Sequence, residues 1–374
     1  MKREFDVVIF SIKSDRSGVP VYCAALGKWL ESIGKSVCIV TRERGPAFEE
    51  LPVGVTVLEF HSLINSMSLS AISSARAVLK IIDSQYCCNL FILNGALFGT
   101  VGRFQSRTLV SRSIFVHHGV AFDQGFRLFR RLAFFVVEVF LLNFTQATSV
   151  AVSTRNFEQL KNLALPRARD RIHLISNVSF RAGLQKWRGL SSVESDQNGL
   201  VRYICVAGFR SQKNHLRLFD AFEKCGVESE LFLLGIDVDS SEAVGIARER
   251  LSSKKFNLVS FVGVASDPNS FFTSKSIAVL ASDYEGFPLA ALEAAQIGAP
   301  VVMTPVSGSD ELQNSSAGFI ANRFSAEDLA LTMEEAAHAL TSGNWDHRAV
   351  ATNAKRAFDV AKFFESWQTL LFRK

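Results

Sequence analysis

The sequence lacks several features that would assign it to a specialised class of protein. None of its six cysteines forms a C-x-x-C pair, and the only close pair, Cys87 and Cys88, is adjacent. That spacing suits neither a zinc site nor an ordinary disulfide. The apolar stretch 7–10 is too short for a signal-peptide core, and no short repeat or low-complexity tract is visible. We therefore expect a globular, cytoplasmic protein with reduced thiols.

The charge of the chain is moderate rather than extreme. The net charge is +5 over 374 residues, which permits anionic partners such as nucleotides or phospholipid headgroups without selecting one. No recognisable motif supports a nucleic-acid partner. The length and the 48% hydrophobic content are enough for two cores, because single cores rarely grow beyond about 250–300 residues.

Alternating strand and helix patterns predict an α/β fold. The apolar run 7–10 is followed by a loop that contains Gly18, by apolar residues at helical spacing, and by a second apolar run at 37–40. Such a βαβ unit builds a parallel sheet, whose ligands bind at the carboxyl ends of the strands. Further apolar runs at 91–93, 113–116 and 149–152 extend the pattern over a first domain, 1–180.

A polar segment divides this series from a second one. Residues 181–200 have the composition of a linker, and apolar runs resume at 203–206, 231–234, 258–262, 277–280 and 300–303. We expect a second domain over 201–353 and an amphipathic helix over 354–374 that packs back on the first domain. The predicted architecture is two facing, Rossmann-like, doubly wound domains with a cleft between them.

The segment 282–295 combines several signals of a ligand site. Glu285 follows the apolar run 277–280, where ligands approach such sheets. Pro288 suits the first turn of a helix and Gly298 the position after it, which predicts a helix over about 287–297. Its free N-terminal amides would share the site with Glu285 and would hold a diphosphate.

This segment resembles a known family. Glu285 and Glu293 match the E-x7-E signature of the family 4 glycosyltransferases, retaining enzymes with the GT-B fold, and the flanking residues match as well. The resemblance implies that Glu285 lies by the donor sugar, that Glu293 contacts the nucleotide ribose, and that the donor also contacts Gly286, Phe287, Pro288 and Leu289. The alternatives are a loop carboxylate and a solvated helix charge.

A second match covers 206–215, where the family binds the donor diphosphate. The resemblance implies this role for Lys213. Gly208 occupies the position where the family usually has an arginine, and Arg210 follows two residues later. Arg210 either supplies the missing charge or is a solvated loop residue. Because preorganised cations and helix amides stabilise the charge on a departing diphosphate, we expect no metal requirement.

The first domain carries weaker matches. The segment 116–119 resembles a histidine-glycine stretch of the family, which makes His118 the candidate catalytic histidine near the sugar; a hydrogen-bonded loop histidine is the alternative. Gly18 matches one glycine of a loop close to the donor phosphates. Partial matches also occur at 175–178 and at 306–311, where Gly308 and Glu311 agree with the family.

Two further segments have competing interpretations. Asp237 and Asp239 form a D-x-D sequence, which indicates either a metal site or, as we favour, a loop and helix N-cap. The segment 126–142 joins clustered arginines to an apolar stretch interrupted by Glu138. It would lie on a membrane surface or pack as a buried helix, and for 132–142 the buried helix is slightly favoured.

Together these observations predict a retaining glycosyltransferase without a cofactor. It would move a sugar from a UDP- or GDP-linked donor to a glycan or lipid-linked acceptor in cell-surface polysaccharide synthesis, at the inner face of the cell membrane. One alternative, motivated by Gly208, is a catalytically silent subunit of a membrane glycan-assembly complex. A GT-B-fold sugar epimerase or phosphorylase is the other.

Overall fold

The computed structural model describes residues 2–119, 128–181 and 200–372, and it divides into two compact units. Unit 1 comprises Met1–Phe180 and Val360–Lys374, and unit 2 comprises Arg181–Asp359. The predicted linker 181–200 falls almost wholly outside the described residues. Each unit contains one parallel sheet covered by helices.

Unit 1 is built on a seven-stranded sheet in the order β3-β2-β1-β4-β5-β6-β7. All of its strand pairs are parallel. The strands are β1 Arg3–Phe10, β2 Val37–Thr41, β3 Val55–Glu59, β4 Tyr86–Asn94, β5 Ser113–His117, β6 Thr148–Ala151 and β7 Ile172–Leu174. The helices are α1 Gly18–Ser32, α2 Leu69–Gln85, α3 Gly95–Arg103, α4 Arg107–Val110, α5 Leu128–Phe144, α6 Thr154–Leu163 and α7 Pro166–Arg169.

Unit 2 is built on a six-stranded parallel sheet in the order β10-β9-β8-β11-β12-β13. Its strands are β8 Val201–Val206, β9 Ser229–Leu234, β10 Val259–Gly263, β11 Ser276–Leu280, β12 Val301–Met303 and β13 Gly318–Ile320. Its helices are α8 His215–Lys224, α9 Ser241–Arg250, α10 Ser253–Phe256, α11 Leu289–Gln296, α12 Ser309–Asn314, α13 Ala326–Thr341 and α14 His347–Ala357.

The two sheets confirm the predicted α/β fold with two Rossmann-like units. The interior strands β2, β5 and β11 are buried along their whole length, as expected where helices cover both faces of a parallel sheet. The strand order reverses between β1 and β4 in unit 1 and between β8 and β11 in unit 2. Ligands of open α/β sheets bind at such points, beyond the carboxyl ends of the strands.

The last part of the chain forms two helices rather than the single helix expected over 354–374. The first, α14, ends at Ala357, and α15 runs from Val360 to Phe372. Phe358 caps α14 with φ −111° and ψ 56° and packs edge-on against Phe287, 5.4 Å between ring centroids. Burial of that ring in unit 2 stops the helix, and α15 then belongs to unit 1.

Aromatic contacts attach α15 to α1. Trp367 is fully buried, and its indole N–H donates to the hydroxyl of Tyr22 at 3.0 Å. Phe364 stacks on Trp29 with ring centroids 5.0 Å apart. Burying aromatic side chains that also satisfy their polar atoms gives a strong and specific contact. Unit 1 is therefore completed by residues from the far end of the chain.

Within the described residues, no helix combines the length and the apolar character needed to cross a membrane.

Candidate functional site

The loop that follows β11 places Glu285 beside Lys213. The Lys213 ammonium lies 2.5 Å from Glu285 Oε1, and the hydroxyl of Ser282 donates to the same oxygen at 2.7 Å. The side-chain amide of Gln212 lies 3.5 Å from the other oxygen and donates to the backbone oxygen of Tyr284 at 2.8 Å. Glu285 is only 7% exposed, so it is a buried and hydrogen-bonded carboxylate of this loop.

Lys213 is positioned by a tight turn after β8. A single 3-10 turn spans Ser211–Lys213, and Asn214 follows in the left-handed region with φ 45°. Asn214 caps α8 by accepting from the backbone N–H of Arg217 at 3.1 Å. Few residues other than glycine adopt this conformation as readily as asparagine. The left-handed residue ends the turn and begins α8, which leaves Lys213 directed at the neighbouring loop.

Asp283 ties the two loops together. Its carboxylate accepts from the Asn214 amide at 3.0 Å and from the Arg217 guanidinium at 2.6 Å, and its backbone N–H donates to Gln212 at 2.9 Å. Charge-assisted hydrogen bonds of this length are among the strongest in proteins. The loops after β8 and β11 are thus held as one preorganised surface at the point where the strand order reverses.

Gly208 and Arg210 lie side by side on this surface. A Cβ built on Gly208 would be 3.3 Å from the backbone oxygen of Ile236 and 3.5 Å from Arg210 Nε. The contact with the Ile236 oxygen is tight, and the distance to Arg210 is that of ordinary van der Waals contact. The guanidinium of Arg210, an exposed residue, instead lies next to the position where the family carries its arginine.

The signature helix begins later than predicted. Helix α11 spans Leu289–Gln296, and Pro288 is its N-cap with φ −71° and ψ 122°, not a residue of its first turn. The reason is local: Pro288 has extended backbone, and a proline also disfavours helical backbone in the residue before it. Its N-cap residue, Pro288, makes no side-chain capping hydrogen bond. The first amide groups of the helix lie four residues after Glu285, at the end of the same loop.

Glu293 lies in the second turn of α11 and is largely buried. Its side chain is 16% exposed, and Arg181 Nε lies 3.7 Å from its carboxylate. Burial raises the pKa of Glu293 above the usual value, and the charge of Arg181 opposes this only in part. Glu293 is therefore not the solvated helix charge that was the alternative. Its buried carboxylate is suited to accept hydrogen bonds from hydroxyl groups.

The residues between the two glutamates mainly build the core. Gly286, Phe287 and Pro288 are buried and Leu289 is half-buried. The ring of Phe287 fills space that Gly308 leaves open, since a Cβ on Gly308 would be 2.4 Å from the Phe287 ring. Gly308 also has φ +91°, which favours glycine. The side chain of Phe287 thus supports the loop rather than presenting itself to a ligand.

In unit 1, His118 lies just beyond β5 in a fixed orientation. Its Nε2 lies 2.8 Å from Asn94 Oδ1, and its ring meets Tyr22 edge-on at 4.8 Å between centroids. Removal from water, with a smaller effect of the neighbouring His117, lowers the pKa of His118 to about 3. His118 is neutral at physiological pH. With Nε2–H donating to Asn94, Nδ1 keeps its lone pair.

Gly18 is the exposed first residue of α1. Ser17 is the N-cap residue, but its side chain makes no capping hydrogen bond among the described contacts. Its hydroxyl donates instead to the Asp15 carboxylate, which also accepts the Ser17 backbone N–H at 3.1 Å. Gly18 therefore lies at a helix N-terminus beyond the carboxyl end of β1.

Sequence reasoning missed a buried charge cluster next to His118. Arg103 and Glu138 form a two-point ion pair, with both N–O distances 2.7 Å, and His117 Nε2 lies 3.9 Å from Glu138. Burial would raise the pKa of Glu138, but the charge and hydrogen bonds of Arg103 outweigh it and lower this pKa to about 2. Burial lowers the pKa of His117 to about 4. The only signal in the sequence is a carboxylate inside an apolar run.

These side chains line a cavity of about 170 Å³ together with Thr100, Phe134 and the loop residue Gly119. Helix α5 provides Glu138 and Phe134 to one wall, and α3 provides Arg103 and Thr100 to the other. The charge that interrupts the apolar segment 126–142 is thus an interior group of unit 1.

The D-x-D sequence has a structural role in the described residues. Asp237 adopts φ 64°, and its backbone oxygen accepts from the N–H and hydroxyl of Ser240. Ser240, rather than either aspartate, caps α9. Across the described ranges, no group of three His, Cys, Asp or Glu side chains is arranged to hold a metal ion.

Comparisons with known proteins give a family match within unit 2 and similar folds for the whole chain. Residues 194–355 match the family model described as glycosyl transferases group 1. Among curated proteins, none matches the chain. The fold is similar to sucrose-phosphate synthase from Thermosynechococcus elongatus (TM-score 0.74, 18% identity), with 99% of this chain and 98% of that chain covered.

Two further solved structures are similar over nearly their whole length. Anabaena HepE in complex with UDP and glucose has a TM-score of 0.72 and 16% identity, with 98% of this chain and 99% of that chain covered. WaaG, a glycosyltransferase involved in lipopolysaccharide biosynthesis, has a TM-score of 0.69 and 14% identity, with 98% and 100% covered. The chain therefore has the GT-B fold, and the part that carries Lys213, Glu285 and Glu293 matches the group 1 glycosyl transferases.

Proposed function

We propose that this protein is a retaining glycosyltransferase that moves a sugar from a nucleoside diphosphate donor to a glycan or lipid-linked acceptor. The observation that carries the proposal is the Lys213–Glu285 pair, which lies where the strand order of unit 2 reverses. Glu285 precedes the first residue of α11 by four residues. A cation, a carboxylate and a helix N-terminus at one point suit a ligand that joins a diphosphate to a sugar.

In this proposal the donor diphosphate binds Lys213, Arg210 and the first amides of α11. An ammonium group has three donor hydrogens, so Lys213 can hold phosphate oxygen while it keeps its hydrogen bond to Glu285. Glu293 accepts from the ribose hydroxyls. Unit 2 matches the group 1 glycosyl transferases, and HepE binds UDP and glucose, which supports a nucleotide-sugar donor, UDP- or GDP-linked.

The proposed reaction exchanges one C–O bond for another on the same face of the sugar. The bond from the anomeric carbon to the diphosphate breaks, and its electron pair goes to the phosphate oxygen. The acceptor oxygen bonds to the same carbon, and its proton passes to the departing diphosphate. Glu285 stabilises the positive charge that develops on the sugar, and Lys213 stabilises the negative charge on the leaving group.

The remaining parts of the proposal follow from this chemistry. Lys213, Arg210 and the α11 amides supply the charge that a metal would otherwise provide, so we propose that transfer persists in a chelator. Neutral His118 offers Nδ1 as an acceptor to a sugar hydroxyl, and Gly18 allows close approach of a phosphate. The acceptor is a cell-surface polysaccharide or its precursor at the inner face of the cell membrane, in line with the involvement of WaaG in lipopolysaccharide biosynthesis.

The first experiment is calorimetry of UDP and GDP with the wild-type protein, with Lys213→Ala and with Lys254→Ala. Lys254 is an exposed lysine of unit 2, 3.7 Å from Glu228, and serves as the matched control. Affinity for one nucleotide that is lost only in Lys213→Ala supports the donor site. If wild type binds neither nucleotide, a catalytically silent subunit, suggested by Gly208, becomes the better proposal.

Two measurements then test the reaction itself. Incubation with donor alone separates transfer from epimerisation, and incubation of the donor with phosphate detects a phosphorylase. NMR of the transfer product reports the configuration at the anomeric carbon. Clean inversion would refute the retaining mechanism while leaving the donor site intact.

A further inference from the structure

Helix α5 exposes a continuous apolar surface in unit 1. Leu132, Phe135, Val136, Phe140 and Phe144 are between 37% and 63% exposed. They recur at intervals of three and four residues, which places them on one side of the helix. The buried side carries Leu141, Leu142 and the paired Glu138. The expectation of a core helix over 132–142 therefore holds for one side of α5 only.

The surface extends beyond α5 through aromatic contacts. Phe104, at the end of α3, is 54% exposed and stacks on Phe140, and Phe140 stacks on Phe144. Exposed Leu165 adjoins the same end of the helix, since its backbone N–H donates to Asn143 at 2.6 Å. We call this set the α5 face: Phe104, Leu132, Phe135, Val136, Phe140, Phe144 and Leu165. Contiguous exposed apolar patches of this kind mark interaction sites.

Arginines lie at the edge of the α5 face. The guanidinium of Arg167 lies 5.7 Å from the Phe144 ring. Arg131 lies on α5 itself, and exposed Arg107 follows Phe104 by three residues. Glu138 is the only carboxylate of α5, and it is turned inward. The face thus combines an apolar centre with a cationic edge.

We propose that the α5 face docks on an anionic lipid bilayer and lies in the headgroup region. Apolar side chains would enter the acyl boundary while arginines at the edge meet lipid phosphates, the arrangement of interfacial helices. A second copy of this chain fits less well, because a symmetric contact would bring both arginine edges together. The inference goes beyond the proposed function, since it requires no sugar donor.

The test is vesicle flotation of the full chain without any nucleotide sugar. Vesicles of phosphatidylcholine with phosphatidylglycerol are compared with phosphatidylcholine alone. We expect binding to the anionic vesicles, weakened by salt because screening shortens the reach of the arginines. Phe140→Glu should reduce the apparent affinity at least roughly tenfold, because it places a charge in the acyl boundary. Phe140→Trp should retain it.

Leu331→Glu is the matched control. Leu331 is an exposed leucine on α13 of unit 2, 64% exposed, and its replacement should leave binding unchanged. Val136→Glu replaces Phe140→Glu if thermal unfolding shows that the latter does not fold.

Three results would overturn the proposal. The first is that wild type floats with neither vesicle, and the second is that the glutamate variants float as wild type does. The third is that lipid-free sedimentation shows a dimer that Phe140→Glu dissociates, while no vesicle binding occurs; the occupant is then a second copy. None of these three results depends on sugar transfer, so this proposal and the proposed function can fail independently.

Discussion

A double-mutant cycle on Lys213 and Glu285 tests the geometry on which the proposed site depends. Removing one partner of a fully buried ion pair costs about 3–5 kcal/mol, and an exposed pair contributes about 0–1 kcal/mol. Here the lysine side chain is 22% exposed and the glutamate side chain 8% exposed. We therefore expect Lys213→Met to reduce the free energy of unfolding by about 2–3 kcal/mol.

Glu285→Gln should reduce the free energy of unfolding less than Lys213→Met does. The glutamine can still accept from Ser282, and the lysine, being partly exposed, can reach water. We expect a loss of about 1–2 kcal/mol. Because the two losses describe one interaction, the double variant should lose less than their sum, with a coupling free energy of about 2 kcal/mol.

The assay must report on unit 2 alone, since the chain has two units. Hydrogen exchange of peptides that cover β11 and β12 reads the opening free energy of that sheet. Lys254 and Glu228 provide the control cycle, because both side chains are nearly 80% exposed and 3.7 Å apart. Their coupling should be near zero.

A coupling free energy below about 0.5 kcal/mol for Lys213 and Glu285 would refute the reasoning, since it would show that the ion pair does not form in solution. The same variants also separate stability from donor binding. Lys213→Met should abolish UDP or GDP affinity. Glu285→Gln should preserve it, because Lys213 keeps its positive charge and its donor hydrogens for the phosphate.

Other predictions concern the interiors of the two units. Lowering the pH from about 7.5 to 5 should destabilise unit 1 by about 2 kcal/mol through His117. The pKa of His117 in the folded protein, about 4, lies below the ordinary 6.5, so only the unfolded chain takes up the proton in this range. Thermal unfolding of His117→Gln should depend less on pH than that of the wild type, and an unchanged pH dependence would contradict this. Arg103→Met leaves Glu138 buried without its cation and should cost about 3–5 kcal/mol in chemical denaturation. A loss below about 1 kcal/mol would mean that water reaches the carboxylate. In the same experiment, Gly298→Ala should lower the free energy of unfolding more than the control Gly343→Ala. Both glycines have positive φ, but only a Cβ at 298 would meet a backbone oxygen, at 2.2 Å. Equal losses of free energy would argue against that contact.

The sequence predicted the interior of each sheet better than its edges. Strands buried on both faces are nearly continuous apolar runs, and each such run was identified. The three strands that were missed, β3, β7 and β13, each lie at the edge of a sheet. All three are short and partly exposed. An edge strand packs on fewer neighbours, so its side chains do not show the pattern of a core strand.

For the candidate site, the rule that ligands bind beyond the carboxyl ends of strands predicted the place of Glu285, and the family resemblance implied the role of Lys213. Neither predicted the Lys213–Glu285 contact or the role of Asp283, which depend on loop geometry. Arg103 and Glu138 were unpredictable for another reason. They are 35 positions apart, and a charge inside an apolar run is as consistent with an exposed helix as with a buried pair.

The route of the chain through its two units has a consequence for synthesis on the ribosome. Unit 2 is inserted between the bulk of unit 1 and the helix that completes it, since α15 supplies the Trp367 partner of Tyr22. Domains usually fold in the order in which they emerge. Here the first unit to emerge is the last to be finished, with the aromatic surface of α1 uncovered until residues 360–372 leave the exit tunnel. Truncations or fusions at the carboxyl end should therefore affect chiefly the amino-terminal unit.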